Sequence, residues 1–131
     1  MIKKIFISGS FDVLHVGHIA ILNFAKSLGD FLIVGLDSDS RIRQKKGLSR
    51  PFNVEKDRKL MLKSLKMVNE VHIFENDQGL EDLIRINAPE FLVVGSDWKT
   101  KNIIGSKFAK ELIFFDRIGD YSTTKILNYK L

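Results

Sequence analysis

The sequence predicts an α/β protein with three layers, α/β/α, around a five-stranded parallel sheet, and two patterns indicate this fold. Five short, nearly continuous apolar runs are typical of strands that are covered on both faces. The segments between these runs carry apolar residues at helical spacing. Alternation of strands and helices, β-α-β-α-β-α-β-α-β-α, favours an open sheet with right-handed crossovers.

The predicted elements follow one another along the whole chain. The strands are predicted at residues 5–8, 31–36, 70–74, 91–94 and 112–115. The helices are predicted at 17–28, 54–66, 79–87 and 122–127. Gly29 is placed to end the first helix, Pro89 follows the third, and Ser122 is the expected N-cap of the last.

Composition bounds the size and class of the protein. With 131 residues, 44% of them hydrophobic, the chain is expected to form one domain, 1–131, with a single core. It has no cysteine, which excludes disulfides and thiolate sites. No apolar stretch approaches the roughly 20 residues that span a bilayer, and the N-terminus lacks a signal-peptide pattern. We therefore expect a cytoplasmic protein.

The formal net charge is +5, which suits an anionic partner. Nucleic acid, anionic lipid and a phosphorylated small molecule would each satisfy that charge, so its location is more informative. In open α/β sheets, ligands bind beyond the carboxyl ends of the strands. The loops predicted there are 9–18, 37–53, 95–105 and 116–122, and they hold the unusual residues of this chain.

His15 and His18 lie in the first of these loops, on either side of Gly17. A helix begins there, and its N-terminal N–H groups and positive dipole end attract anions. Glycine permits close approach of a ligand, and imidazoles donate hydrogen bonds to phosphate oxygens. Single histidines are usually surface or core residues, but the only other histidine in this chain is His72, which we assign a structural role. With no thiol nearby, a structural metal site is not favoured.

With Phe11 and Asp12 before it, this His-x-Gly-His segment resembles the signature of the cytidylyltransferase-like nucleotidylyltransferase superfamily. The resemblance implies a Rossmann-like fold and the attack of a substrate phosphate on the α-phosphate of a nucleoside triphosphate, with release of pyrophosphate. It implies that both histidines are catalytic and that Mg²⁺ bridges the phosphates without a dedicated protein site. Asp12 is expected to contact the acceptor substrate. The nucleotide is expected to contact Gly9, Ser10, Phe11 and Gly17.

A second matching segment lies near the C-terminus. Hydroxyl side chains at a helix N-terminus bind phosphate, although an ordinary capped helix has the same composition. The superfamily has a similar Arg-x-x-Gly-x-Ser-Thr-Thr segment that contacts the nucleotide. This chain has Gly119 one position earlier than that glycine, with Asp120 in its place. The implied contacts are a catalytic Arg117 and nucleotide-binding Ser122, Thr123 and Thr124.

The loop after the second strand is strongly basic. We expect it to be flexible and solvated, and its position suggests a lid over a triphosphate. The resemblance assigns Lys46, beside Lys45, to phosphate binding and catalysis, and Arg58 on the next helix to the substrate. Asp39 is a turn residue or a contact for the acceptor's hydroxyls. The basic residues are Arg41, Arg43, Lys45, Lys46 and Arg50.

Asp97 and Trp98 follow the fourth strand and resemble the segment beside the base and ribose of the nucleotide. Trp98 is the only tryptophan, and an indole at this edge either packs in the core or stacks on a base.

Two branches of the superfamily compete. Glycerol-3-phosphate cytidylyltransferases share the Asp-Trp pair and the position of Arg117. Heptose 1-phosphate adenylyltransferase domains share the pattern of residues 46–53 and 105–107. Because Trp98 and Arg117 both belong to base-side loops, CTP and a phosphorylated polyol such as glycerol 3-phosphate are slightly favoured over ATP and a sugar 1-phosphate.

Two other classes stay open: a catalytically silent nucleotide-binding module and, from charge alone, a nucleic-acid-binding domain. The histidines and basic loop favour the enzyme, with no nucleic-acid or membrane partner. From the relatives we expect a homodimer.

Overall fold

The computed structural model describes residues 1–99, 101–116 and 127. Its centre is a five-stranded sheet in the order β3-β2-β1-β4-β5, in which every neighbouring pair is parallel. This sheet confirms the predicted fold class. The strands are β1 (Lys4–Gly9), β2 (Phe31–Asp37), β3 (Glu70–Phe74), β4 (Phe91–Gly95) and β5 (Glu111–Phe115).

Helices cover both faces of the sheet. The described α-helices are α1 (Val16–Ser27), α2 (Asp39–Lys46), α3 (Glu55–Lys63) and α4 (Asp77–Asn87). Leu22 of α1 and Leu62 of α3 pack with Ile5 and Ile7 in one apolar cluster. Ile84 of α4 packs in a second cluster, with Phe6. Because Phe6 alternates with Ile5 and Ile7 along β1, the two clusters lie on opposite faces and the molecule has three layers. No helix in the described ranges is long and apolar enough to cross a membrane.

The prediction of a flexible basic loop after β2 was wrong for its first half, which is the helix α2. The side chain of Ser38 caps α2 by accepting a hydrogen bond from Arg41 N at 3.1 Å. Ile42 is the only apolar residue in α2, and it is buried. One apolar residue in eight gives no helical periodicity to detect, so the pattern indicated a loop.

Strict alternation was also wrong between β4 and β5. In the described residues 96–99 and 101–110, that connection contains two 3-10 helices, Ser96–Trp98 and Ser106–Phe108, and no α-helix. The predicted helix at 54–66 is shorter and ends at Lys63. The predicted helix at 122–127 lies outside the described residues except for Leu127, which is helical.

The connection from β4 to β5 depends on Gly105, which has φ 78° and lies against α4. A Cβ at this position would lie 2.6 Å from Ile84 Cδ1. We expect Gly105→Ala to lower the free energy of unfolding by about 1–3 kcal/mol, measured by urea unfolding, because it adds both strain and overpacking. The control is Gly47→Ala, where φ is 98° but a Cβ would meet nothing within 4 Å. Equal losses in the two variants would show that the contact with Ile84 contributes nothing.

Candidate active site

A cavity of about 430 Å³ opens at the carboxyl edge of β1, β2 and β4, where the sequence predicts ligand binding. Its position is the point at which the chain, having wound outward from β1 to β3, crosses back to β4. Six residues that the sequence analysis selects line it together: Gly9, Ser10, Phe11, His18, Lys46 and Trp98.

His15 and His18 form one unit at the start of α1. His15 is the N-cap of that helix, and its Nδ1 accepts a hydrogen bond from Gly17 N at 3.1 Å. His15 N in turn donates to His18 Nδ1 at 3.2 Å, and the two rings stack with centroids 3.8 Å apart. Since both Nδ1 atoms accept, the ring proton of each histidine lies on Nε2. The Nε2–H of His18 therefore belongs to a ring that lines the cavity.

His18 is neutral at physiological pH. Burial, followed by the charges of His15 and Lys46, lowers the pKa of His18 from 6.5 to about 4. A neutral Nε2–H donates a hydrogen bond to a phosphate oxygen without having to lose or gain a proton. Its donor capacity is thus constant across the physiological pH range.

The lowered pKa of His18 predicts a pH dependence of stability. Between about pH 4 and 6.5 the unfolded chain binds a proton at residue 18 that the folded protein does not bind. The contribution of His18 to the free energy of unfolding is therefore fully present above pH 6.5 and is lost as the pH falls toward 4. We expect His18→Gln to reduce the decline in unfolding free energy over this window, measured by urea unfolding. Identical slopes for wild type and variant would contradict the assignment, and His72→Gln serves as the control.

The loop that leads into the histidines is held in an unusual backbone conformation. Phe11 and Val13 have φ 45° and 52°, a region that a β-branched residue such as Val13 rarely adopts. Asp12 lies between them, is 1% exposed, and accepts hydrogen bonds from Phe52 N at 2.6 Å and Asn53 N at 2.9 Å. These contacts favour a positioning role for Asp12, because they join the histidine loop to the segment before α3.

Arg58 and Asp39, both expected to contact the acceptor, are paired with each other beneath the cavity. Arg58 is 0% exposed, and its guanidinium donates to Asp39 Oδ1 at 2.8 Å. It also donates to the backbone oxygens of Ser10, Asp37 and Asn53 at 2.8–2.9 Å. Neither side chain lines the cavity. Their contacts fit a positioning role, in which Arg58 holds three carboxyl-edge segments together.

Lys46, the last residue of α2, brings a positive charge to the cavity. Its Nζ lies 3.4 Å from Ser10 Oγ, in the loop after β1. Burial and the nearby Arg50 lower its pKa from 10.5, and Asp37 and Asp12 oppose that shift. An ammonium that is already partly desolvated binds a phosphate with a smaller further loss of hydration.

The β4 side of the cavity is lined mainly by aromatic, amide and aliphatic side chains, unlike the side that carries His18 and Lys46. Trp98 is 46% exposed there, and Lys101 Nζ lies 4.6 Å from its ring centroid. Asn102, Ile103 and Ile104 complete this wall, whereas Asp97 is adjacent in sequence but does not line it. A half-exposed indole beside an amide and aliphatic side chains is suited to a nucleobase.

The structure adds Asp37 and Arg41, which the sequence analysis did not select as site residues. Asp37 is the last residue of β2, so its place at a strand's carboxyl end was the available signal. Arg41 was one of five similar basic residues, and nothing in the sequence distinguished it.

Some of the predicted site residues lie outside the part of the chain that the structure describes. Arg117, Ser122, Thr123 and Thr124 lie outside them. No group of three or more His, Asp or Glu side chains in the described part could hold a metal ion. His72 is half-exposed on the edge strand β3, with Nε2 3.0 Å from Glu70 Oε1.

Comparison with known proteins identifies the family. The sequence model of the family described as cytidylyltransferase-like matches residues 6–128. Bifunctional protein HldE of Sulfurimonas denitrificans is 46% identical over 125 residues, which are 95% of this chain and 26% of that protein. HldE of a Helicobacter pylori strain is 47% identical over 125 residues, again 95% of this chain and 27% of that protein. The chain thus spans about a quarter of the length of these curated relatives.

Solved structures share the fold. A lipopolysaccharide core biosynthesis protein from Thermoplasma volcanium superposes with a TM-score of 0.69 at 24% identity, covering 93% of this chain and 100% of that one. Pantoate-beta-alanine ligase from Francisella tularensis superposes with a TM-score of 0.68 at 16% identity, over 98% and 66% of the respective chains. These structures show the fold, and the matched family model over residues 6–128 shows the family: the chain belongs to the cytidylyltransferase-like family.

Proposed function

We propose that this chain transfers AMP from ATP to the phosphate of a heptose 1-phosphate and releases pyrophosphate. The observation that carries the reaction type is the His15–His18 unit at the N-terminus of α1, with His18 opening into the same cavity as Lys46. For the substrates, the pattern of residues 46–53 matches the heptose 1-phosphate adenylyltransferase branch. The HldE relatives favour the same branch.

A CTP-dependent transfer to glycerol 3-phosphate, which the sequence analysis slightly favours, is the second candidate. Its support is the Asp97–Trp98 pair, since Trp98 faces the cavity. The relatives weigh against it because the proteins that match 95% of this chain at 44–47% identity are HldE proteins. ATP therefore becomes the preferred donor.

The proposed mechanism is a direct displacement. An oxygen of the acceptor phosphate attacks the α-phosphorus, and the bond from that phosphorus to the β-phosphate oxygen breaks as pyrophosphate leaves. The Nε2–H groups of His15 and His18 and the N-terminus of α1 stabilise the charge on the α-phosphate oxygens. Lys46 stabilises the departing pyrophosphate. Mg²⁺ bound with the nucleotide would neutralise further phosphate charge.

Two further properties are part of this proposal. The first is a cytoplasmic location. A homodimer is supported only by the family resemblance, and light scattering coupled to size exclusion would measure it. A molar mass near the 15.0 kDa of one chain would contradict the dimer.

Pyrophosphate release tests the function. The purified protein is incubated with ATP, CTP, GTP or UTP, each with heptose 1-phosphate or glycerol 3-phosphate, and reactions without protein serve as the control. We expect turnover with ATP and heptose 1-phosphate. CTP as the sole productive donor would contradict the ATP assignment. Nucleotide binding without pyrophosphate release in any combination would support a catalytically silent module.

A further inference from the structure

The β2 side of the cavity carries an ion pair that the displacement mechanism does not use. Asp37 ends β2, and its Oδ1 lies 2.8 Å from Arg41 Nε in α2. Both residues line the cavity. Asp39, which the sequence analysis selected for the acceptor, points instead to Arg58.

Arg41 is fixed from three directions. Besides Asp37, it pairs through Nη2 with Asp77 Oδ1 of α4 at 2.9 Å. Its guanidinium carbon lies 5.1 Å from the ring centroid of Phe74, the last residue of β3. A guanidinium held by two carboxylates and an aromatic face has little freedom to move. The ion pair with Arg41 therefore holds the Asp37 carboxylate in place at the cavity wall.

The two ends of the cavity offer different chemistry. Trp98 and Asn102 lie beyond β4, whereas Asp37 and Arg41 lie beyond β2, and β1 with the histidine loop runs between them. Strands lie about 4.8 Å apart, so the β2 and β4 ends are separated by roughly 10 Å. An indole and an amide suit a nucleobase, while a carboxylate accepts hydrogen bonds from hydroxyl groups.

We propose that Asp37 binds hydroxyl groups of the acceptor, that Arg41 is the residue that positions it, and that the pair favours phosphate esters of polyols that carry no charge besides the phosphate. This inference rests on the proposed function and deepens it by assigning the acceptor end of the site. Sugar hydroxyls are donors that a carboxylate satisfies, and hydrogen bonds to a charged group are worth about 1.5–3 kcal/mol. An acceptor with a carboxylate at this end is disfavoured by like-charge repulsion.

Asp37→Asn tests this assignment because it keeps the size of the side chain and an oxygen for Arg41. We expect the KM for heptose 1-phosphate to rise about 10–100-fold, the equivalent of 1.5–3 kcal/mol. The Kd for ATP, measured by calorimetry without acceptor, is expected to change less than about twofold. Asp82→Asn is the matched control, because Asp82 also pairs with an arginine, Arg85, but is 43% exposed and outside the cavity lining. It is expected to leave the acceptor KM unchanged.

The outcomes separate this inference from the proposed function. An active wild type whose acceptor KM is unaffected by Asp37→Asn would overturn the inference alone. A weaker ATP affinity, with 2′-deoxy-ATP and ATP bound equally by the variant, would place the ribose at Asp37 and also overturn it. Turnover of glycerol 3-phosphate with CTP would overturn the proposed substrates. The KM of wild type and of Asp37→Asn would then be compared for glycerol 3-phosphate, and an equal KM would overturn the inference. A wild type that is inactive with every phosphate ester of an uncharged polyol would contradict both proposals.

Discussion

Replacing His18 with alanine is expected to lower kcat about 10²–10³-fold, the usual cost of losing one donor to a charge that develops in the transition state. The structure gives a specific reason for a loss of this size. His18 Nδ1 is occupied by His15 N, so Nε2–H is the free donor, and the ring lines the cavity. The low pKa of His18 keeps this donor neutral and available at the pH of the assay.

The measurement is steady-state pyrophosphate release, with far-ultraviolet circular dichroism to confirm the fold. His72→Ala is the matched control, because His72 lies on β3 and outside the cavity lining. It should keep full turnover. The double variant His15→Ala, His18→Ala should lose less than the product of the two single losses, because the rings stack at 3.8 Å and share a hydrogen bond. A folded His18→Ala protein with full turnover would refute the catalytic assignment.

The sheet was predictable from sequence because its strands are buried on both faces. Ile5, Phe6 and Ile7 are all buried, so β1 shows the unbroken apolar run that a central parallel strand requires. The helix α2 was not predictable in the same way. Its stability comes from the Ser38 cap and from the contacts of one arginine, and neither produces a periodic pattern.

The candidate site was predictable to a different degree. His15, His18 and Lys46 belong to local motifs that a sequence displays directly. The surroundings of Asp12 and Arg58 do not belong to such motifs, because Asp12 accepts hydrogen bonds from residues 40 and 41 positions away and Arg58 donates one to a residue 48 positions away. The family resemblance therefore selected both residues, but only the three-dimensional structure shows that they are buried and join segments that are distant in sequence.

Those two residues join the parts of the site. Asp12 connects the histidine loop to the segment at Phe52 and Asn53. Arg58 connects the same loop, at Ser10, to the end of β2 at Asp37 and to Asn53. Hydrogen bonds to α3 and to the segment before it thus hold the loop that carries the catalytic donors. A buried side chain outside the cavity lining can therefore determine where the donors lie.

Arg58→Met is expected to have the largest effect on stability, lowering the free energy of unfolding by about 3–5 kcal/mol. The variant keeps the aliphatic volume but leaves the Asp39 carboxylate and three backbone oxygens without their donors in a buried site. Urea unfolding measures this loss. The fraction that stays folded at low temperature should also show a reduced kcat, since the loop at Ser10 loses one of its anchors.

Arg85→Met is the control for the loss of an arginine ion pair as such. Arg85 lies on α4 with its side chain 52% exposed, and it pairs with Asp82 at 3.3 Å. Exposed pairs contribute about 0–1 kcal/mol, so this variant should unfold close to wild type and keep its turnover. Arg58→Lys, which keeps the charge but not the planar fork of donors, should fall between the two. If Arg58→Met were no less stable than Arg85→Met, the buried guanidinium would not be what holds the three carboxyl-edge segments together.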